Sequence, residues 1–86
     1  MTTWTVADMC DELSVCADLA RQRAQQFTER RDPTESAYWQ DFARTWTEYA
    51  RHRSDATGHC TQCAGEPAPC LDLEFEHRLA LSLFPR

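Results

Sequence analysis

The feature that most constrains this chain is a cluster of three cysteines, Cys60, Cys63 and Cys70, spaced C-x2-C-x6-C. The segment that carries them, residues 54–70, also holds both glycines and two of the four prolines, so it is predicted to be a loop. A chain of 86 residues forms a small core, which rarely contributes more than about 3–5 kcal/mol. We therefore expect this loop to be ordered by something other than hydrophobic burial.

The three clustered cysteines are predicted to bind a metal ion rather than to form disulfides. Residues 1–15 carry three acids and no basic residue, unlike a secretory signal peptide, which favours a reducing, cytoplasmic location. In a reducing compartment, clustered cysteines bind metals more often than they pair. Neighbouring thiolates repel one another unless a cation neutralises them, and a structural Zn²⁺ ion fits such a set.

A tetrahedral zinc site needs a fourth ligand, and the three histidines are the candidates because no fourth cysteine lies nearby. His52 is the first choice, since the seven residues between it and Cys60 can fold back without strain. His59 ranks second because it directly precedes Cys60, and adjacent residues seldom direct both side chains at one ion. His77 is the third, because it lies about two helical turns, or roughly 10 Å, beyond Cys70. The predicted ligands are therefore His52, Cys60, Cys63 and Cys70, with His59 as the runner-up for the histidine.

Two helices are predicted before the loop. Thr5 and Asp8 fit a capping box at the start of a helix over residues 5–30, in which apolar residues recur at spacings of three and four. Asp32-Pro33 ends this helix and begins a second over residues 33–53. The second helix carries an aromatic stripe formed by Tyr38, Phe42, Trp46 and Tyr49. Two such helices joined by a short turn make an antiparallel hairpin, with Cys10 and Cys16 expected in its core.

The C-terminal segment, residues 71–83, can be interpreted in two ways. Apolar residues occupy alternate positions, as in a strand, but leucine, glutamate and alanine favour a helix and no β-branched residue is present. We therefore predict a helix over 71–83. The whole chain, residues 1–86, is predicted to be one all-α domain that combines the hairpin, a metal-binding loop over 54–70 and this short C-terminal helix.

The pattern His52-x2-Asp55-x2-Gly58-x-Cys60-x2-Cys63-x6-Cys70 resembles a motif of small, mostly uncharacterised actinobacterial and actinophage proteins. The resemblance covers residues 51–80 and implies a structural zinc knuckle with ligands at the histidine and the three cysteines, but no shared activity. The chain also lacks lysine, isoleucine and asparagine, which indicates a GC-rich source genome and agrees with the resemblance.

Two other metal-binding families have related patterns. WhiB-like regulators hold an iron–sulfur cluster with an isolated cysteine and a C-x2-C-x5-C run, but this chain has an x6 spacing and lacks their Gly-Trp turn and basic tail. Zinc anti-sigma factors are small, helical and acidic with an H-x3-C-x2-C pattern, whereas seven residues separate His52 from Cys60. An iron–sulfur cluster is thus the second choice of cofactor after zinc.

Composition and motifs argue against several classes of function. The net charge is −5 and no basic stripe of the kind that binds nucleic acid is present. No apolar run approaches the roughly 20 residues that cross a membrane. Four protein ligands would leave zinc no open position for catalysis, and no catalytic-triad, phosphate-loop or H-E-x-x-H pattern occurs. The chain is not expected to be an enzyme.

Three hypotheses for function follow. The first is a protein-binding adaptor or regulator, from phage or a mobile element, that binds a partner protein or a second copy of itself. It is based on the acidic composition and on more large apolar residues than three helices can bury, namely Trp4, Trp39, Leu73, Leu81 and Phe84. The second is nucleic-acid binding through the knuckle, with a local patch of Arg51, Arg53 and Arg78. The third is a thiol-based redox switch of the zinc anti-sigma or WhiB-like type.

Overall fold

A computed structural model describes residues 4–63 and 65–85, and its regular structure is helical. In chain order the helices are α1 (Val6–Glu29), α2 (Pro33–Tyr49) and α3 (Leu71–Leu83). Within the described residues there is no strand, and the loop contains only isolated bridges between Ser54 and Cys60 and between His59 and Pro67. The predicted all-α hairpin with a short C-terminal helix is confirmed, and α3 has the predicted bounds.

Local capping residues fix the start of each of the first two helices. Thr5 and Asp8 form the predicted capping box, in which the Thr5 hydroxyl accepts from the Asp8 N–H at 3.0 Å. Thr5 and Arg30 cap α1, so the helix proper is one residue shorter at each end than the predicted 5–30. Asp32 accepts from the Glu35 N–H at 3.2 Å and caps α2, as the Asp-Pro pair predicted.

The predicted C-terminal end of the second helix at residue 53 is wrong, because α2 ends at Tyr49. The chain after Tyr49 turns tightly, with the His52 N–H donating to the Tyr49 carbonyl at 3.0 Å. The cysteine-containing loop then bonds to this turn, since Thr61 donates its N–H to the Arg53 carbonyl at 2.8 Å and its hydroxyl to the Arg51 carbonyl at 3.2 Å. These bonds satisfy carbonyl groups of the turn that follows α2 and hold His52 beside the loop.

The core between α1 and α2 is built largely from small residues. Its fully or nearly fully buried members on the two helices are Cys10, Leu13, Cys16, Ala17, Ala20, Ala24, Trp39, Ala43 and Trp46. The alanines allow close approach of the two helices, and both cysteines are wholly buried, as expected for core residues.

The predicted aromatic stripe of α2 is buried only in part. Trp46 is fully buried and Phe42 and Tyr49 pack against the core, but Tyr38 remains 50% exposed while the flanking Trp39 and Ala43 are buried. Helix α3 covers this face, and Trp46 donates its indole N–H to Glu76 at 3.0 Å. Phe84, just after α3, packs against Trp39 and Trp46 with ring centroids 5.6 and 6.0 Å away.

The prediction of which large apolar residues lie at the surface is also only partly correct. Trp39 and Leu73 are 7% and 0% exposed, so neither is available to a partner. Among the described residues, Trp4 is exposed as expected, and the other exposed large apolar residues are Val15, Tyr38, Leu71 and Phe75. In the part of the chain that the structure describes, no helix combines the length and the apolar character needed to cross a membrane.

Candidate metal centre

His52, Cys60, Cys63 and Cys70 converge at the end of the bundle where α2 finishes and α3 begins. The His52 Nδ1 atom lies 3.5 Å from the sulfur of Cys60, 3.5 Å from that of Cys63 and 3.4 Å from that of Cys70. All four candidate ligand atoms lie within 4.8 Å of one another. The structure therefore brings together the four residues that the sequence singled out, and they are close enough to hold a metal ion.

The size of this cluster fits one tetrahedral ion. Zinc–sulfur bonds of about 2.3 Å and zinc–nitrogen bonds of about 2.0–2.1 Å, at tetrahedral angles, place nitrogen and sulfur roughly 3.5–3.6 Å apart. The three observed nitrogen–sulfur distances are 3.4–3.5 Å. Their near equality means that the imidazole nitrogen lies over the centre of the sulfur triangle, as a fourth ligand would.

Backbone N–H groups support two of the sulfurs. Although burial acts to raise it, the pKa of the Cys60 thiol lies below its ordinary value because the N–H groups of Gln62 and Cys63 donate to its sulfur. The Cys70 sulfur accepts from the Leu73 N–H at 3.4 Å and thereby caps α3. The positive N-terminal end of α3 is thus directed at a candidate thiolate ligand.

The remaining thiols are held in their neutral form when no cation is near. Burial raises the pKa of the Cys63 thiol to about 12, and the neighbouring Cys60 and Cys70 thiols add to the shift. Burial likewise raises the pKa of Cys70. Thiols with pKa values raised in this way are all deprotonated only when a bound cation takes the place of their protons.

The loop that presents the cysteines is shaped by Asp55, a residue whose role the sequence analysis did not assign. Its carboxylate accepts from the N–H groups of Thr57 at 2.8 Å and His59 at 3.0 Å. The bond from the His59 N–H contributes most to holding the pKa of Asp55 below its usual range, and the bonds from Thr57 add to the effect. Gly58 follows with a φ of +84°, which favours glycine. The Asp-x-Thr-Gly sequence was a readable signal for this turn.

The other two histidines lie outside the cluster. The Nδ1 atom of His59 is 2.9 Å from the Thr57 hydroxyl, and the residue is exposed. His77 is only 4% exposed and packs edge-on against Trp4 with ring centroids 4.6 Å apart. Burial lowers the pKa of His77, while the Glu12 carboxylate opposes that shift. Neither residue is grouped with the three sulfurs.

Cys10 touches the cluster, which the sequence analysis did not foresee. This wholly buried residue of α1 donates its thiol to the His52 carbonyl at 3.7 Å. Burial raises its pKa, Arg53 opposes the shift, and the charges of Asp11, Cys60 and Cys70 add to it. The contact spans 42 positions, so no local pattern could reveal it.

The predicted basic patch is partly neutralised. Arg53 forms an ion pair with Asp11 at 3.3 Å, and Arg78 lines a surface cleft together with Glu74. The arginines therefore do not present an uninterrupted positive surface next to the loop.

In comparisons with family models, curated proteins and solved structures, nothing matches this chain. The resemblance to actinobacterial and actinophage proteins stays a prediction. Three thiols and one imidazole nitrogen are the donor set found in closed, four-coordinate zinc sites.

Proposed function

We propose that this chain is a small zinc-stabilised protein-binding module that acts as an adaptor or regulator. The observation that carries the proposal is the double role of Cys70, which belongs to the metal cluster and also caps α3. Helix α3 in turn holds Leu71 and Phe75, which are 77% and 61% exposed. The metal site thus supports the element that presents the most exposed apolar side chains.

Zinc suits the cluster better than the alternative cofactor. Thiolates and imidazole are ligands that zinc prefers. An iron–sulfur cluster contains several atoms, whereas the four ligand atoms here lie within 4.8 Å of one another. That space is appropriate for one ion. With four protein ligands, the ion has no open position, which supports a non-enzymatic role.

Native mass spectrometry of protein purified without added metal tests the zinc assignment. We expect one zinc per chain in the wild type and in His59→Ala, and loss of the ion in His52→Ala. His59 is the matched control because its imidazole contacts Thr57 rather than the sulfurs. Equal metal content in the two variants, or a wild type without metal, would refute the assignment.

Affinity capture from the source cells tests protein binding. Wild-type protein is compared with Phe75→Ala on α3 and with Val15→Ala on α1, where Val15 is 39% exposed. Because both changes remove an exposed apolar side chain, both variants should fold. We expect captured proteins to be lost with Phe75→Ala and retained with Val15→Ala. Identical capture by all three forms would contradict a role for α3.

A redox switch is the second candidate, and the position of Cys10 favours it. Oxidation of two thiols by hydrogen peroxide forms one disulfide and two water molecules, and it would release zinc from a thiolate site. A thiol-sensitive switch predicts that Cys10→Ser changes the rate of peroxide-driven zinc release while Cys16→Ser does not. Equal rates would remove this candidate, because Cys16 is equally buried in α1.

A further inference from the structure

We propose that the groove between α2 and α3 binds a basic amphipathic helix of a partner protein. This inference rests on the proposed protein-binding function and names the surface and the chemistry of the partner. The groove is defined here by two adjoining surface clefts that both include Thr45.

The groove runs along the seam of the two helices from the metal cluster towards the C-terminal half of α3. At the cluster end, a cleft of about 500 Å³ is lined by residues that include His52, Tyr49 and Asp72. At the far end, a cleft of about 310 Å³ is lined by residues that include Phe42 and Leu79. The 13 residues of α3 extend for roughly 20 Å, which is long enough for three to four turns of a docked helix.

Apolar side chains line the far end of the groove and continue beside it on α3. Tyr38 and Phe42 lie one turn apart on α2, with ring centroids 4.9 Å apart. On α3, Leu79 lines the far cleft, and Phe75 and Leu71 precede it at intervals of four residues on the adjoining side of the helix. Two of them are more than half exposed. A helical partner can cover such a surface with side chains at i, i+3, i+4 and i+7.

Acidic side chains surround this apolar surface. Asp41, Glu48, Asp72 and Glu76 line the two clefts. Arg44 is the only basic residue among the cleft-lining side chains, and it is ion-paired with Asp41. A partner with lysine or arginine beside its apolar stripe would therefore be complementary in charge.

The same charge distribution disfavours a second copy of this chain as the occupant. Each chain carries a net charge of −5, and a two-fold contact through the groove would bring two acidic rims together. Like charges across an interface cost affinity. The extended peptides that add to sheet edges are disfavoured too, since the described residues contain no strand. A basic helix remains the occupant that fits both the shape and the charge.

Designed peptides of about 18 residues provide the test. The first places leucine and lysine at the spacing of an amphipathic helix, the second scrambles the same composition, and the third replaces lysine by glutamate. Fluorescence anisotropy measures their binding to the zinc-loaded full chain. We expect the leucine–lysine helix to bind and the scrambled and leucine–glutamate peptides to bind at least tenfold more weakly. Equal binding of all three peptides would overturn the proposal.

Variants then locate the binding site. Phe75→Ala should weaken binding of the leucine–lysine helix at least tenfold, while Val15→Ala should leave it unchanged. Glu48→Gln, which removes a charge from the groove, should weaken it a few-fold at low salt. Glu29→Gln removes the same charge from the exposed end of α1 and should have no effect. If Val15→Ala weakens binding as much as Phe75→Ala, the groove is not the site.

The outcomes separate this inference from the broader function. A dimer in sedimentation that Phe75→Ala abolishes would make a second copy the occupant, and it would refute the basic partner while retaining protein binding. Binding of the leucine–lysine helix with nuclear magnetic resonance shifts away from Phe42 and Leu79 would refute the groove alone. If neither peptides nor captured proteins bind and the chain remains monomeric, both proposals fail.

Discussion

Removing the proposed zinc ion is expected to unfold α3 and the cysteine loop. Cys70 caps α3, and the loop before it is held to the turn after α2 by bonds such as that from Thr61 to Arg53. Without the ion, the thiols at the centre of this junction are protonated and no cation holds them together. An isolated helix of 13 residues is only marginally stable in water, so α3 then depends on its packing alone.

The magnitudes favour the metal over that packing. Leu73 and Ala80 are the wholly buried apolar residues of α3, and Leu83 and Phe84 are partly buried against the core. At about 1.5–3 kcal/mol for each fully buried large side chain, this burial contributes on the order of 5 kcal/mol. A structural zinc site in a small domain contributes about 10–16 kcal/mol, so losing it outweighs what packing retains.

Circular dichroism and tryptophan fluorescence measure the change before and after treatment with a strong chelator. The three helices contain 24, 17 and 13 residues, so loss of α3 should reduce the 222 nm signal by about a quarter. Trp46, now 0% exposed and bonded to Glu76, should become solvated and its emission should shift to the red.

Two results would refute this reasoning. If metal analysis shows that the ion is gone while both spectra stay unchanged, packing orders α3 and the cluster is dispensable. If nearly all helical signal disappears, α1 and α2 do not form an independent hairpin and the metal holds the whole chain together. Restoring zinc must restore the spectra, since damage to the thiols would otherwise give the same loss.

Three further predictions concern single residues. Both Cys70→Ser and Cys70→Ala should lose the ion, although the serine hydroxyl could still accept from the Leu73 N–H in a folded α3. Because α3 is expected to unfold without the ion, both variants should lose about a quarter of the 222 nm signal, and retention of that signal by the serine variant alone would show that the cap is sufficient to order α3. Thr5→Ala removes the cap of α1 and should lower the free energy of unfolding in urea by about 0.5–2 kcal/mol. The exposed Thr34→Ala should not, and an equal loss in both would contradict the capping argument. Burial lowers the pKa of His77 from 6.5, so the unfolded chain binds its proton more readily and stability should decrease as the pH falls below about 6.5. His77→Gln should have a shallower pH dependence in chemical denaturation, and an unchanged slope would exclude His77 as its source.

The sequence predicted those parts of the fold that depend on neighbouring residues. Thr5 with Asp8, and Asp32 with Pro33, mark helix starts by bonds within one turn, and the structure contains both. The end of α2 was mispredicted because the loop imposes it through Thr61, which lies far along the chain from Tyr49. A helix end set by tertiary bonds leaves no local signal.

The buried face of α2 illustrates the same limit. Tyr38 and Trp39 are adjacent, and both belong to plausible apolar stripes, so the sequence could not decide which one faces inward. The decision comes from Phe84, which packs on Trp39 from beyond α3. Similarly, the spacing of the cysteines predicted a compact cluster with His52, but the Cys10 contact depends on how α1 lies beneath it.

The metal site and the proposed groove are linked because they share α3. One wall of the groove, which includes Asp72 and Leu79, exists only while α3 is folded against α2, and Cys70 fixes the start of that helix. A partner that binds the folded α3 must therefore increase the affinity of the chain for zinc, and zinc must increase its affinity for the partner by the same factor. If both proposals hold, metal occupancy is part of the recognition, and removing the ion should weaken binding of the leucine–lysine helix by the same factor by which that helix raises the zinc affinity.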